Sequence, residues 1–345
     1  MSSRKAPAYR QAGVDLAAAE EVVRRLKPLA AKTATPGVAS HLGGFGGCFA
    51  FPDPRGKDLL VASIDGVGTK MKVTRLTGAW RSAGYDIVAH CVDDILTQGA
   101  RPLFFLDYIG TSRLEVAEVE ELALGMVEAC REAECALLGG ETAEMPGVYL
   151  AGETDLVGCI IGTVSRDRLL PGDRVGPGDR LIGLASLGLH TNGYSLARRI
   201  LIDEGLGIDG LLAPAGPTIG EALAARHRMY WAGVRDLLDQ PELHAMAHIT
   251  GGGIPGNLVR VLPAGCQARV ETGQWEIPPL FREIESRGGV ARGEMFSVFN
   301  MGIGWILVVA AGVAERWAER LAAAGWGGWL IGEVAPGGGG VQLVP

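Results

Sequence analysis

The chain repeatedly places clusters of glycine directly after short apolar segments, and this pattern limits the folds available to it. Glycine accounts for 52 of 345 residues, about twice its usual share of roughly 7%. Glycine adopts backbone conformations that other residues avoid, and it lets a backbone approach a ligand closely. Since 48% of the residues are hydrophobic and 21% are charged, the composition is that of a globular protein. We therefore interpret the glycine clusters as turns and ligand-binding loops rather than as a disordered tract.

The order of the segments predicts two domains of mixed architecture. A chain of 345 residues is long enough for roughly two domains, and two Pro-Gly-Asp turns near 170–179 precede a fresh strand. We place the boundary there, which gives domains 1–170 and 171–345. Both halves mix helices and strands, so we expect α/β or α+β folds. Helices are expected at 15–33, 85–98, 114–134, 194–204, 219–239 and 312–324. Two strands are expected immediately before the loops at 63–70 and 139–147. Further strands are expected at 155–165, 180–186, 268–272, 294–305 and 303–310.

Charge and cysteine usage argue against several functional classes. The net charge is −7 and no basic block is present, so nucleic-acid binding is not expected. None of the six cysteines forms a CxxC pair, which argues against a disulfide framework or a cysteine zinc site. The first ten residues lack an apolar signal segment, and the most apolar run, 303–314, is too short to cross a bilayer. We expect a cytoplasmic protein without a membrane or nucleic-acid partner.

The stretch DGVGTK, at 65–70, has the composition of a phosphate-binding loop. Consecutive backbone N–H groups in a glycine-rich turn can line an anion site. Lys70 would add a positive charge, and Asp65 could hold Mg²⁺. The stretch nevertheless matches neither GxxxxGK[ST] nor GxGxxG. Taken alone, a surface turn with solvated charges is the simpler interpretation.

The predicted helix at 85–98 carries several acids on one face. At about 100° per residue, Asp86, His90, Asp93 and Thr97 fall within an arc of about 60°. Asp94 lies about 40° beyond that arc, and the opposite side is apolar. A polar stripe of this kind is usually a solvated face. This one contains three acids without lysine or arginine, so a bound cation is the alternative.

Further glycine loops carry acids or histidines. The stretch LLGGETAEMPG contains Glu141 and Glu144 and would give a third source of carboxylates, unless the three loops are unrelated turns. In GLHTNGYSLAR, His190 could act as a base, as a hydrogen-bond donor to a substrate, or simply as a structural loop residue. His248 precedes three glycines in HITGGGIPGN. Phe45 lies within the uncharged stretch GGFGG, which could cover a ligand or connect two elements.

Eight stretches, taken in order, resemble the phosphoribosylformylglycinamidine cyclo-ligase family, also called aminoimidazole ribonucleotide synthetases. They are GVDLAAAE, GGFGG, DGVGTK, CVDDILTQGARPLFFLDY, LLGGETAEMPG, HTNGYSLAR, HITGGGIPGN and FNMGIG. The resemblance extends from about Tyr9 to Val344, and DGVGTK followed by GGETAEMPG is its most specific part. The wider superfamily includes selenophosphate synthetase, thiamine-monophosphate kinase and the hydrogenase maturation dehydratase.

The resemblance implies a fold, an assembly and a reaction. The N-terminal domain would close a β-barrel with that of a second chain in a homodimer, and the C-terminal α/β domain would pack over each site. ATP would phosphorylate the formyl amide oxygen of formylglycinamidine ribonucleotide with the help of Mg²⁺. An amidine nitrogen would then attack the activated carbon, phosphate would leave, and the imidazole ring would close.

The matching motifs also imply roles for individual residues. The implied Mg²⁺ ligands are Asp65, Asp94 and Glu141. Lys70 is implied to contact the transferred phosphate, with loop contacts from Gly66, Gly68 and Thr69. The ribonucleotide is implied to face Gly44, Phe45, Gly46, His190, Asn192, Gly251 and Gly252, and His190 is the candidate general base.

Two positions depart from the family pattern, and two other functions remain open. Family members often have Asn where this chain has Asp93 and Met where it has His90. We expect Asp93 to accept hydrogen bonds as Asn would. The alternatives to the ligase are an ATP-dependent small-molecule kinase of the same superfamily and a non-catalytic nucleotide-binding module.

Overall fold

A computed structural model describes residues 8–11, 24, 39, 47–50 and 57–345 of the chain. Most of the predicted helix at 15–33 and the implied ribonucleotide contacts Gly44, Phe45 and Gly46 lie outside these residues. Within the part that the structure describes, every helix is too short or too polar to cross a bilayer. The described elements form two β-sheets with helices packed against them, which confirms the mixed α/β prediction.

The first half forms a five-stranded sheet of order β1-β2-β5-β3-β4. The bounds of its elements are α1 Ala8–Gln11, β1 Gly47–Ala50, β2 Asp58–Gly66, α2 Lys70–Thr77, α3 Trp80–Leu96, β3 Arg101–Thr111, α4 Val116–Glu132, β4 Ala136–Glu144 and β5 Thr154–Ser165. Strands β3 and β4 are parallel, and the other neighbours are antiparallel. Helix α3 packs on one face of the sheet, and α4 packs on α3.

Two glycines allow helices α3 and α4 to approach closely. A Cβ atom added to Gly84 would lie 2.0 Å from the carbonyl oxygen of Leu122. One added to Gly125 would lie 2.0 Å from the carbonyl oxygen of Arg81. Real Cβ atoms do not approach backbone this closely, so any larger residue would force the helices apart.

The second half forms a six-stranded sheet of order β11-β8-β10-β6-β9-β7. Its elements are β6 Arg180–Ala185, α5 Tyr194–Arg198, α6 Ile219–Ala224, α7 Trp231–Val234, β7 Leu243–His248, α8 Gly253–Leu258, β8 Cys266–Glu271, α9 Pro279–Gly288, α10 Arg292–Val298, β9 Ile303–Val309, α11 Ala311–Ala323, β10 Gly327–Pro336 and β11 Val341–Val344. Every residue of β9 is buried, which explains its unbroken apolar sequence because an interior strand is covered on both faces.

Two predicted elements are wrong, and several strands were not anticipated. The single helix expected at 219–239 is divided by the non-helical segment 225–230, whose backbone bonds to acids of α3 instead. The strand expected at 294–305 begins as helix α10 and becomes strand only at Ile303. The predicted strands do not include β1, β3, β7, β10 or β11.

Candidate active site

The DGVGTK stretch connects the end of β2 to the start of α2. Gly68 has a φ of +64°, a conformation that glycine adopts without penalty, and this turn leads into the helix that begins at Lys70. The backbone N–H of Gly66 donates to Oδ1 of Asp65 over 2.7 Å. The Asp65 side chain is 43% exposed, so its carboxylate lies at the surface of the site.

The acidic stripe of α3 is buried rather than solvated, so of the two interpretations of this stripe the solvated face is wrong. The side chains of Asp86 and Asp93 are fully buried. Their hydrogen-bond donors come from the segment between α6 and α7. The backbone N–H of His227 donates to Oδ1 of Asp86 over 2.7 Å, and that of Tyr230 donates to Oδ1 of Asp93 over 2.8 Å. The second half of the chain thus supplies the partners that the helix itself lacks.

Lys70 supplies the positive charge opposite Asp86. Its Nζ atom lies 2.6 Å from Oδ2 of Asp86 and donates to the carbonyl oxygen of Ala225 over 2.5 Å. The lysine is only 1% exposed. Burial raises the pKa of Asp86, although the lysine charge opposes that shift. The ammonium is therefore held by a buried carboxylate, and its implied contact with phosphate stays a prediction.

Four histidines, His90, His190, His227 and His248, meet beside these acids, and we call them the histidine cluster. All four are at most 3% exposed. The ring of His90 lies 5.2 Å from that of His227 and 5.1 Å from that of His248, measured between centroids. His190 stacks on His227 at 4.1 Å. The cluster joins helix α3 of the first half to two loops and strand β7 of the second.

His90 is the charged member of the cluster. Burial disfavours its imidazolium form, but nearby carboxylates, above all Asp65, raise the pKa of His90 to about 9. Its Nε2 atom lies 2.8 Å from Oδ2 of Asp65, and its Nδ1 atom lies 2.5 Å from Oγ1 of Thr191. Burial likewise works against ionisation of Asp65, yet the charge of His90 lowers the pKa of that carboxyl overall.

The other three histidines are neutral because burial lowers their pKa values. His190 has a φ of +62°, which is uncommon for a residue other than glycine. Its Nε2 atom accepts the backbone N–H of Leu187 over 3.4 Å, so Nδ1 carries the proton of the neutral ring. Nδ1 is buried and has no hydrogen-bond partner among the described residues. A neutral imidazole has the chemistry required of a general base, and that role of His190 stays a prediction.

Asp94 and Asp93 differ in how their oxygens are satisfied. Ser63 donates to Oδ2 of Asp94 over 2.9 Å, and Nδ1 of His248 lies 2.9 Å from Oδ1. Asp93 accepts one bond at Oδ1, whereas its Oδ2 atom is buried and accepts no hydrogen bond from the described residues. Burial raises the pKa of Asp93 well above its usual range. The observed bond is one that an asparagine could also accept, as we expected.

The loops implied to bind the ribonucleotide also reach this region. A Cβ atom added to Gly251 would lie 3.2 Å from Oδ1 of Asn192, so these two loops are in contact. Ser195 donates to Oγ1 of Thr69 over 3.2 Å, which connects the DGVGTK loop to the start of α5. Sequence reasoning missed His227 and Thr191, because neither belongs to a motif with a recognisable catalytic spacing.

Glu141 lies apart from Asp65 and Asp94. It is on β4, and the sheet order places β5 and β3 between β2 and β4. At about 4.8 Å per strand, three spacings amount to about 14 Å. Across the sheet, Asp65 pairs with Gly158, which in turn pairs with Asp107 of β3. Glu141 pairs with Tyr108, the residue that follows Asp107 on β3. Successive residues point to opposite faces, so one chain does not bring Glu141 to the other two acids.

The sheet face opposite α3 exposes apolar side chains. Ile64 on β2 is 68% exposed and Leu138 on β4 is 64% exposed. Val148 and Leu150, in the connection that follows β4, are also exposed. Along β5, buried residues alternate with half-buried ones, which shows that the described residues fully cover only one face of this sheet.

The two sheets and the buried site between them define a class of two-domain α/β proteins with several solved members. The thiamine-monophosphate kinase of Stenotrophomonas maltophilia has a TM-score of 0.60 and 19% identity, with 91% of this chain and 93% of that chain covered. E. coli HypE has a TM-score of 0.62 and 19% identity, with 94% of both chains covered. These likenesses describe the fold.

Sequence comparison identifies the family. Residues 46–164 match the N-terminal domain, and residues 176–344 the C-terminal domain, of AIR synthase related proteins. The chain is 48% identical over 331 residues to the phosphoribosylformylglycinamidine cyclo-ligase of Myxococcus xanthus, covering 95% of this chain and 96% of the relative. It is 47% identical over 329 residues to that of Sorangium cellulosum, covering 94% of each. The chain belongs to the phosphoribosylformylglycinamidine cyclo-ligase family and is an enzyme, a ligase.

Proposed function

We propose that this chain closes the imidazole ring of aminoimidazole ribonucleotide in purine biosynthesis. ATP phosphorylates the formyl amide oxygen of formylglycinamidine ribonucleotide, an amidine nitrogen attacks the activated carbon, and phosphate leaves. The observation that carries the proposal is the meeting of Asp65, Asp94, Lys70 and His190 between the two halves of a member of this family. An amide oxygen is a poor leaving group until it is phosphorylated, so positioning and charge stabilisation matter more than a covalent nucleophile.

His190 is the proposed general base, and Asp86 is a proposed positioning residue. The neutral imidazole of His190 would take the proton that the attacking nitrogen releases. It would do so at Nε2, which would give up its bond from the backbone N–H of Leu187. The Asp86 carboxylate holds the Lys70 ammonium beside the DGVGTK loop. A phosphate oxygen arriving at that loop would share the ammonium with Asp86, since an ammonium has three donors.

The carboxylates of Asp65 and Asp94 fit a magnesium ion. Mg²⁺ prefers one or two carboxylates together with phosphate oxygens and water, and the exposed Asp65 carboxylate is accessible to such a complex. The bound ion would neutralise charge on the transferred phosphate. Glu141 is too distant within one chain, so we propose that Glu141 of a second chain completes the set.

A homodimer would provide that second chain and cover the exposed sheet face. Ile64 and Leu138 are both more than 60% exposed, and the removal of apolar surface from water favours association. In this assignment residues 1–170 form the ATP-binding and dimerisation domain, and residues 171–345 form the C-terminal domain that covers each site.

One assay tests the reaction. Purified protein is incubated with formylglycinamidine ribonucleotide, ATP and Mg²⁺, and aminoimidazole product and ADP are both measured. We expect one product per ATP consumed. ATP consumption without ring closure would support the kinase alternative instead, and ATP binding without turnover would support a binding module.

A mixing experiment tests the two-chain site. The variants Asp65→Asn and Glu141→Gln are each expected to be inactive as homodimers. After random exchange of subunits, half of the dimers are mixed and each has one site with both carboxylates. Activity should then return to about one quarter of the wild-type value. No recovery despite verified exchange would show that both acids act within one chain.

A further inference from the structure

We propose that the histidine cluster contains a second metal site, in which His227, His248 and His190 bind a borderline divalent ion such as Zn²⁺. This site differs from the carboxylate site of the proposed function, but the two share His190, so an ion bound here would occupy the residue proposed as the general base. Suitable ligand atoms of these three buried residues lie within 4.8 Å of one another.

The Nε2 atoms of His227 and His248 already have the spacing of two zinc ligands. Nε2 of His227 lies 3.1 Å from Nε2 of His248. Zinc binds imidazole nitrogens at about 2.0–2.1 Å in tetrahedral sites, which places two ligands roughly 3.3 Å apart. An ion could therefore bind between these two rings with only a small movement of either side chain.

The outer nitrogens of the same two rings are positioned as in metal sites. Nδ1 of His248 lies 2.9 Å from Oδ1 of Asp94, and Nδ1 of His227 lies 3.5 Å from Oγ1 of Thr191. A ligating histidine usually donates its other ring N–H to a carboxylate or another oxygen, which fixes the tautomer. When His248 donates to Asp94, its Nε2 lone pair points at the facing nitrogen of His227. Either a proton or a cation must lie between them.

Two unsatisfied polar atoms favour the cation. Oδ2 of Asp93 is fully buried and lies 3.4 Å from Nε2 of His227, and within the described part of the chain it makes no hydrogen bond. Nδ1 of His190 is also buried without a partner. Buried polar atoms without partners cost free energy, and an ion between the rings would offset that cost. His190 would supply the third nitrogen by turning from its stacked position, and the positive charge of the ion would favour the ionised form of Asp93 beside it.

The ligand type separates this ion from magnesium. Imidazole nitrogens suit zinc, copper and nickel, whereas carboxylate and water oxygens suit magnesium. The proposed Mg²⁺ ligand Asp94 contacts the new site only through the outer nitrogen of His248. The two sites therefore differ in donor chemistry as well as in position.

Equilibrium dialysis of the full chain against zinc chloride, without ATP or Mg²⁺, tests the proposal. Bound zinc is measured by elemental analysis. We expect one ion per chain, and at least a tenfold loss of affinity in His227→Gln, by analogy with losses caused by altering metal-site partners. The matched control is His244→Gln, because His244 lies outside the cluster and pairs with Asp179; it should bind like the wild type.

Cobalt provides a second measurement on the unaltered protein, in case His227→Gln fails to fold. Co²⁺ bound by the cluster should give the intense visible absorption of tetrahedral coordination, and zinc should abolish it stoichiometrically. Absence of stoichiometric zinc, a weak octahedral cobalt spectrum, or a folded His227→Gln that binds as tightly as the wild type would each overturn the proposal.

Discussion

Removal of the Lys70 ammonium should reduce the stability of the fold as well as the rate of ring closure. Lys70→Met leaves the Asp86 carboxylate fully buried without its charge partner. Loss of one member of a buried ion pair costs about 3–5 kcal/mol in the free energy of unfolding. Loss of activity in this variant alone would therefore not show that Lys70 contacts phosphate.

The double variant Lys70→Met/Asp86→Asn separates the two effects. The asparagine oxygen can still accept the backbone N–H of His227, and no unpaired charge remains. We expect the double variant to regain about 2–3 kcal/mol relative to the sum of the two single losses, which is the coupling expected of residues in direct contact. If Lys70 also contacts phosphate, ring closure stays abolished in this restored protein.

Urea unfolding of the wild type, both single variants and the double variant measures the coupling, and ring closure is assayed on the same samples. The control is Lys72→Met, because Lys72 pairs with Glu153 at the partly exposed surface and such pairs contribute about 0–1 kcal/mol. Strictly additive losses would refute the buried-pair argument. Recovery of ring closure in the double variant would refute the phosphate contact.

Three further predictions concern pH, packing and assembly. The pKa of His90 in the folded protein is raised from 6.5 to about 9. Its contribution to stability is therefore complete below pH 6.5 and is lost as pH rises through about 9. The urea midpoint of unfolding should fall between about pH 6 and pH 10 in the wild type and change less with pH in His90→Met. Gly125→Ala should destabilise the fold by at least about 2 kcal/mol, whereas Gly312→Ala, whose added Cβ meets nothing within 4 Å, should not, as thermal unfolding will show. Ile64→Lys should shift the protein from dimer to monomer in analytical ultracentrifugation, and an unchanged mass would contradict the proposed interface.

Local sequence patterns predicted the helix that carries the site residues, but they did not predict which residues contact it. The apolar and polar periodicity of α3 was sufficient to predict a helix and to place Asp86, Asp93 and Asp94 near one face. It could not show what faces those acids, because their partners His227 and Tyr230 lie 141 and 137 residues further along the chain. Those two residues bond through backbone N–H groups, which leave no mark in a sequence.

The position of Glu141 depends on the order of strands in the sheet, which its sequence motif does not predict. The GGE stretch follows the same strand-to-loop pattern as DGVGTK, which suggested a shared site. Strand β3 separates β4 from β5 in the sheet, and the sequence near Glu141 does not predict that order. Loop motifs therefore indicated the type of chemistry, whereas long-range pairing determined which residues meet within one chain.

The bonds from α3 to the segment 225–230 have a consequence for synthesis on the ribosome. Strand β5 ends at Ser165, so all described strands of the first sheet have been translated by that point. Tyr230 is synthesised roughly 65 residues later, which takes about 3–13 s at typical elongation rates. During this interval Asp86 and Asp93 lack the donors that satisfy them in the folded chain. The nascent first half must keep that helix face hydrated until the second half emerges, so the two halves are separate in sequence but complete their folding together.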